Sequence, residues 1–177
     1  DATFPTLIRR LYFDLIGLPP SPDDMSRLKN RLAQESLDVV LEHEVDNLMN
    51  STAFGERWGR HWLDVARFAE SSGKEANISF PYAWRYRDYV IDAFNRDLPY
   101  DQFLREQVAG DLLPASDGSA VNTRGIVATG FLALGPKLIA EQDKVKMFYD
   151  IVDEQIEVVG KAVLGLTLAC ARCHDHK

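Results

Sequence analysis

The chain has 177 residues, 46% of them hydrophobic, and a net charge of −7. That length and apolar share suffice for one domain, or a compact pair of subdomains, with a real core. The acidic balance argues against a nucleic-acid-binding surface, and no apolar run approaches the roughly 18 residues that suggest a transmembrane helix.

Apolar spacing along the chain is mostly helical. Leu7, Ile8, Leu11, Tyr12 and Leu15 form one stripe, with Pro5 in its first turn and Gly17, Pro19 and Pro20 stopping it. Ser21 reads as an N-cap before Pro22, with Asp23 and Asp24 facing the positive end of the dipole, and the helix runs to about Leu32. Ser36 starts another, with Leu37, Val40, Leu41, Val45 and Leu48 inward. From Glu56 the next helix carries Trp58, Trp62, Val65 and Ala69 roughly along one side. Glu56, Arg60 and Asp64, spaced four apart, predict a charge ladder.

Residues 71–80 read as a polar loop. The stretch from Pro81 to Asp97 predicts a strongly amphipathic helix, with Tyr82, Tyr86, Tyr89, Val90, Ala93 and Phe94 inward. A short helix around Tyr100–Val108 leads into a Gly110–Ala120 loop, and Asn122 caps a helix to about Leu134, broken by Gly135 and Pro136. The last segment predicts the longest helix, from about Lys144 to Arg172. Its second half, AVLGLTLACA, is apolar on all sides, which predicts burial of its end. No run alternates with period two, so the expected fold is all-α, a single compact multi-helix domain over 1–177 that ends in a long helix carrying the two cysteines.

Those cysteines, Cys170 and Cys173, are followed directly by His174. Cys-x-x-Cys-His is the attachment signature of c-type haem. Two thiols three positions apart can add to the two vinyl groups of one porphyrin, and the adjacent histidine then serves as the axial iron ligand. Gly165, Thr167, Ala169 and Ala171 are small and leave room for a flat ring. A zinc site from Cys170, Cys173, His174 and His176 is complete in ligand type but packed more tightly than usual. A redox-active pair and a structural disulfide are the remaining readings.

Five ordered blocks carry a family resemblance: LIRRLYFDLIGLPPSPDD, FGERWGRHWLDVARFAES, YAWRYRDYVIDAFNRDLPYDQFLREQVAGDLLP, ATGFLALGP and GLTLACARCHDHK. Over almost its whole length the chain resembles the DUF1549 domain of planctomycete cytochrome-type proteins, PSCyt2-like. The resemblance implies an exported, periplasmic or cell-envelope protein longer than this chain and continuing past Lys177. An upstream cytochrome module and a DUF1553-like domain would lie in the same polypeptide, and the redox partner is open. It implies haem c, covalent at Cys170 and Cys173 with His174 on the iron, in an electron-transfer domain rather than a stand-alone catalyst. Made in an ordinary cytoplasm, the chain is expected to be haem-free. The alternative is a structural or carbohydrate-associated module with a zinc or disulfide site at the same motif.

Candidates for a second axial ligand are Met147, Met49, Met25, His61, His43 and His176. His61 is weighed against a histidine simply packed beside tryptophan. Met147 is set some 27 residues from His174, roughly 40 Å along a straight helix, too far without a break. Trp58, Arg60, Trp62, Arg67, Trp84, Arg85, Tyr86 and Arg87 read as an aromatic core buttressed by Arg–Asp pairs, or as a carbohydrate platform or haem-carboxylate clamp. The carboxylates Asp64, Glu70, Glu75, Asp88 and Asp111 would support a hydrolase only if two faced each other across a cleft.

Overall fold

In the computed structural model, residues 2–73, 77–116 and 118–175 are described. Among them the chain is helical throughout, with one isolated antiparallel bridge, Ser71 to Ser79. It divides into two units: residues 1–60 with 91–98, and residues 61–90 with 99–177.

The first unit opens with α1 (Phe4–Ile16), α2 (Pro22–Leu32) and α3 (Leu37–Met49). Each begins and ends where the sequence signals fall. Gly17 closes α1, its N–H bonding back to Tyr12 and Phe13. Ser21 caps α2 in a reciprocal capping box: its hydroxyl accepts from the Asp24 N–H while the Asp24 carboxylate accepts from the Ser21 N–H. Ser36 caps α3. Ile8 and Tyr12 meet Leu28, Val40 and Leu48 in one buried cluster, so the stripes predicted for these helices do form its core. Leu37 lies outside it, more than a third exposed.

Within this core sits a carboxylate. Glu44 is buried on α3, accepts a 2.6 Å hydrogen bond from the Tyr12 hydroxyl, and is gripped by both terminal nitrogens of Arg27 at 2.8 and 2.9 Å. Burial pushes Glu44 up, but the bonds from Arg27 and Tyr12 outweigh it and hold the group below the usual carboxylate range. Burial, reinforced by this carboxylate, pushes the Tyr12 phenol up.

Helix α4 (Thr52–Val65) starts a turn earlier than the sequence suggests, and α5 spans Ala83–Asn95. In the first unit a Cβ on Gly55 would meet the Ile91 carbonyl at 2.5 Å, and the Asn95 side chain accepts from the Gly55 N–H. No ion pair joins Glu56, Arg60 and Asp64 among the described residues, so the expected ladder is not formed.

The second unit holds α6 (Tyr100–Ala109), α7 (Thr123–Ala128), α8 (Gly130–Ala133) and α9 (Lys144–Val159). Trp62 is set among the rings of Phe103 and Phe131, at 4.7 and 5.6 Å between centroids, and donates its indole N–H to the Tyr86 hydroxyl. Tyr86 in turn donates to Gln107 at 2.7 Å, and Tyr89 to Glu106. Desolvation pushes both phenols up, and for Tyr89 the Glu106 carboxylate adds to the rise. Tyr82, expected inward, is 69% exposed because α5 begins only after it, at Ala83.

The α6–α7 packing depends on two glycines. A Cβ on Gly125 would lie 2.0 Å from the Gly110 carbonyl oxygen, so the backbones touch where any side chain would separate them. Asn122 locks this crossing: its Oδ1 caps α7 through the Gly125 N–H, and its amide donates to the Gly110 and Leu113 carbonyls. The helix expected from Asn122 to Leu134 is interrupted at Thr129, between α7 and α8.

Candidate functional site

The long closing helix of the sequence reading does not form. Helix α9 ends at Val159, a single π-helical turn follows over Gly160–Leu164, and Gly165 takes a left-handed conformation with φ +66°. The Leu166 N–H then bonds back to the Gly160 carbonyl at 3.1 Å. A Cys-x-x-Cys-His on the long helix is therefore corrected: Cys170 lies in a short 3-10 turn, Ala169–Arg172, and Cys173 and His174 follow it. The end is not buried either. Both cysteines are exposed free thiols, and Leu164 and Leu166 are more than half exposed.

Hydrogen bonds and ion pairs to α9 replace the missing helix. Glu157 Oε2 accepts from the backbone N–H groups of Leu168 and Ala169, at 2.7 and 2.6 Å, doing for the 3-10 turn what a capping side chain does for a helix. Lys161 lies 2.7 Å from the other Glu157 oxygen. Lys161, with help from the two backbone donors, holds the Glu157 carboxyl below its usual range against the opposing effect of burial. Further along, Arg172 reaches Asp150 at 2.6 Å and Asp153 at 2.9 Å. Asp150 also bonds Lys146, and these two cations, Lys146 first, hold it low. The motif turn is thus folded back along α9.

This return places Cys173 on the wall of a cavity of about 1130 Å³. Apolar groups supply most of the lining, among them Leu132, Pro136, Ile139, Met147 and Ile151. Arg67, Lys137, Lys146 and Arg172 add positive charge. Arg67, just past α4, has φ +56° and pairs with Glu154, which Lys137 also binds. Two other guanidinium nitrogens of Arg67, Nε and one terminal nitrogen, are buried with no acceptor.

His174 Nδ1 lies 2.9 Å from the Asp175 carbonyl. A carbonyl only accepts, so in the neutral ring this contact favours the proton on Nδ1 and leaves the Nε2 lone pair open. Of the zinc set, Cys170, Cys173 and His174 make no metal-like cluster among the described residues, and His176 lies outside them. His61 is exposed on α4 and does not line the cavity. His43, Met25 and Met49 belong to the first unit.

The matching family model is PSCyt2, described as a protein of unknown function (DUF1549), and it covers residues 1–177. The chain belongs to this family. No curated protein and no solved structure matches it.

The aromatic and arginine block of this PSCyt2 chain divides into separate roles. Tyr86 is buried and Trp62 packs beside it, as the structural reading expected, but Trp58 is exposed. Trp84 is exposed beside Arg85, and Arg87 pairs with Asp88 and Glu70. Arg67 alone of the block lines the cavity beside Cys173. The expected Arg60–Asp64 pair is absent. Of the carboxylates proposed for hydrolysis, Asp64, Glu70, Asp88 and Asp111 are exposed, Glu70 and Asp88 share the Arg87 guanidinium, and Glu75 lies outside the described residues. The sequence reading missed Lys137, Asp150, Glu157 and Arg172 as site residues. Their signal was an arginine between two late cysteines and a row of acids on the helix before it, a pairing visible only once the chain turns back.

Proposed function

We propose that this domain is an exported c-type cytochrome-like module that holds one haem for electron transfer. In this reading Cys170 and Cys173 form the two thioethers and His174 binds the iron. The observation that carries it is the donor set itself: two exposed free thiols three residues apart, next to an imidazole whose Nδ1 meets a carbonyl. The adjoining cavity, with Cys173 on its wall, is mainly apolar and large enough for a flat ring.

Bound there, the haem would supply one-electron chemistry at its iron. The residues of the chain hold and tune it. Cys170 and Cys173 would hold a haem by adding across its vinyl groups, each S–H hydrogen passing to vinyl carbon, so no oxidant would be consumed. Asp175 orients His174, and Glu157 and Arg172 fix the turn that carries the thiols. An upstream cytochrome module and a DUF1553-like domain in the same polypeptide are the proposed neighbours in electron flow.

The test is to export the chain in a host with a c-type maturation system and record intact mass and visible absorbance. One haem mass per chain and a Soret band are expected, both lost in the Cys170→Ser, Cys173→Ser double variant. Zinc near one equivalent without iron would replace this reading with a structural metal site. Unmodified mass and no Soret band from that host would overturn it.

A further inference from the structure

We propose that Met147 supplies the second axial ligand to the iron, an inference that rests on the haem reading above. In a straight helix Met147 and His174 would be roughly 40 Å apart. The reversal at Gly165 shortens that separation by folding the chain back towards α9. Arg172 bonds Asp150, which lies three residues from Met147 on α9, and Met147 and Cys173 line the same cavity.

The chemistry of the wall selects Met147 among its possible donors. Lys146 is paired with Glu141 and Asp150, Lys137 with Glu154, and Asp150 with Arg172. Recruiting any of these to iron would break an ion pair, and a lysine would first have to lose its proton. The Met147 thioether is neutral, soft and half-buried, and has neither a proton nor an ion pair to give up. A methionine opposite histidine also raises the reduction potential of a haem.

The experiment compares the chain, matured with haem, with Met147→Leu and Met147→His variants, both near the native volume. Intact mass reports attachment, far-ultraviolet circular dichroism reports folding, and the ferric near-infrared spectrum reports the sulfur-to-iron charge-transfer band. The native chain is expected to show that band and a low-spin iron. Met147→Leu should lose the band, become high-spin and shift to lower potential. Met147→His should return to low spin without the band, at a potential below the native one. Attached haem with no band in the native chain, or an unchanged band in Met147→Leu, would overturn Met147 as ligand and leave the haem reading standing. Absence of attached haem in the native chain would overturn both.

Discussion

Two carboxylates, Glu44 and Glu157, are each gripped by neighbouring donors, yet they do different work. Glu44 is enclosed by α1, α2 and α3 and binds Tyr12 and Arg27 inside a finished core. Glu157 binds the Leu168 and Ala169 amides of a segment whose own side chains are largely exposed. Around Glu44 the hydrophobic cluster holds the helices together, and the polar bonds satisfy what burial would otherwise leave unpaired. At the motif turn there is little apolar burial, so the polar bonds themselves hold the chain. The first network should therefore report on global stability and the second on local opening.

Removing Glu44 tests the first half of that contrast most severely. Glu44→Ala strands the Tyr12 hydroxyl in the core and leaves Arg27 without its main acceptor. A loss of about 3 kcal/mol is expected in equilibrium denaturation. Tyr12→Phe keeps the ring and deletes one bond to the carboxylate, so about 1.5 kcal/mol is expected by the same measurement. Equal and negligible effects of the two would mean that this carboxylate is not part of the core.

Glu157→Gln tests the other half. Amide exchange at Leu168 and Ala169 should quicken roughly three- to tenfold, while the denaturation midpoint hardly moves. A global destabilisation instead would show that the turn is part of the cooperative core. Raising salt from low to molar concentration should loosen the same two amides, because the Arg172 and Lys161 pairs are near the surface and screened, and leave those around Glu44 protected.

The smallest effect is with pH. Asp150, Glu157 and Glu44 all titrate below their ordinary values in the folded chain. Their stabilising effect is complete above the ordinary carboxylate range and is lost as pH falls through the depressed values. The protection factors of the Leu168 and Ala169 amides, exchange relative to the unfolded chain at the same pH, should thus be flat near neutrality and fall only in acid. A fall already between pH 6 and 8 would mean that a different group holds the turn.

Much of the first unit was legible because its signals are local. Ser21 and Ser36 cap helices through their own next turn, Gly17 ends one, and period-3.6 stripes mark the faces that meet. Ring content alone did not separate core from surface: Tyr86 is buried and Trp62 packs beside it, while Trp58 and Trp84 of the same block are exposed. Tyr82 was misassigned because helical periodicity does not say where the helix begins.

The closing segment failed for the opposite reason. Apolar residues on every side read as a helix entering a core, and helix propensity alone would continue it to Arg172. What stops it is Gly165 in a left-handed conformation, together with Glu157 and Arg172, whose partners across the turn lie 11 to 22 residues away in sequence. Sequence by itself determined the helical class, the family and the Cys170, Cys173 and His174 motif, because each is written in spacing along the chain. Only the tertiary structure decided that all three are exposed, that Arg67 and Met147 share a cavity with Cys173, and that the chain turns back after α9. Those outcomes depend on which distant charges and amides meet, and such pairings have no period to read.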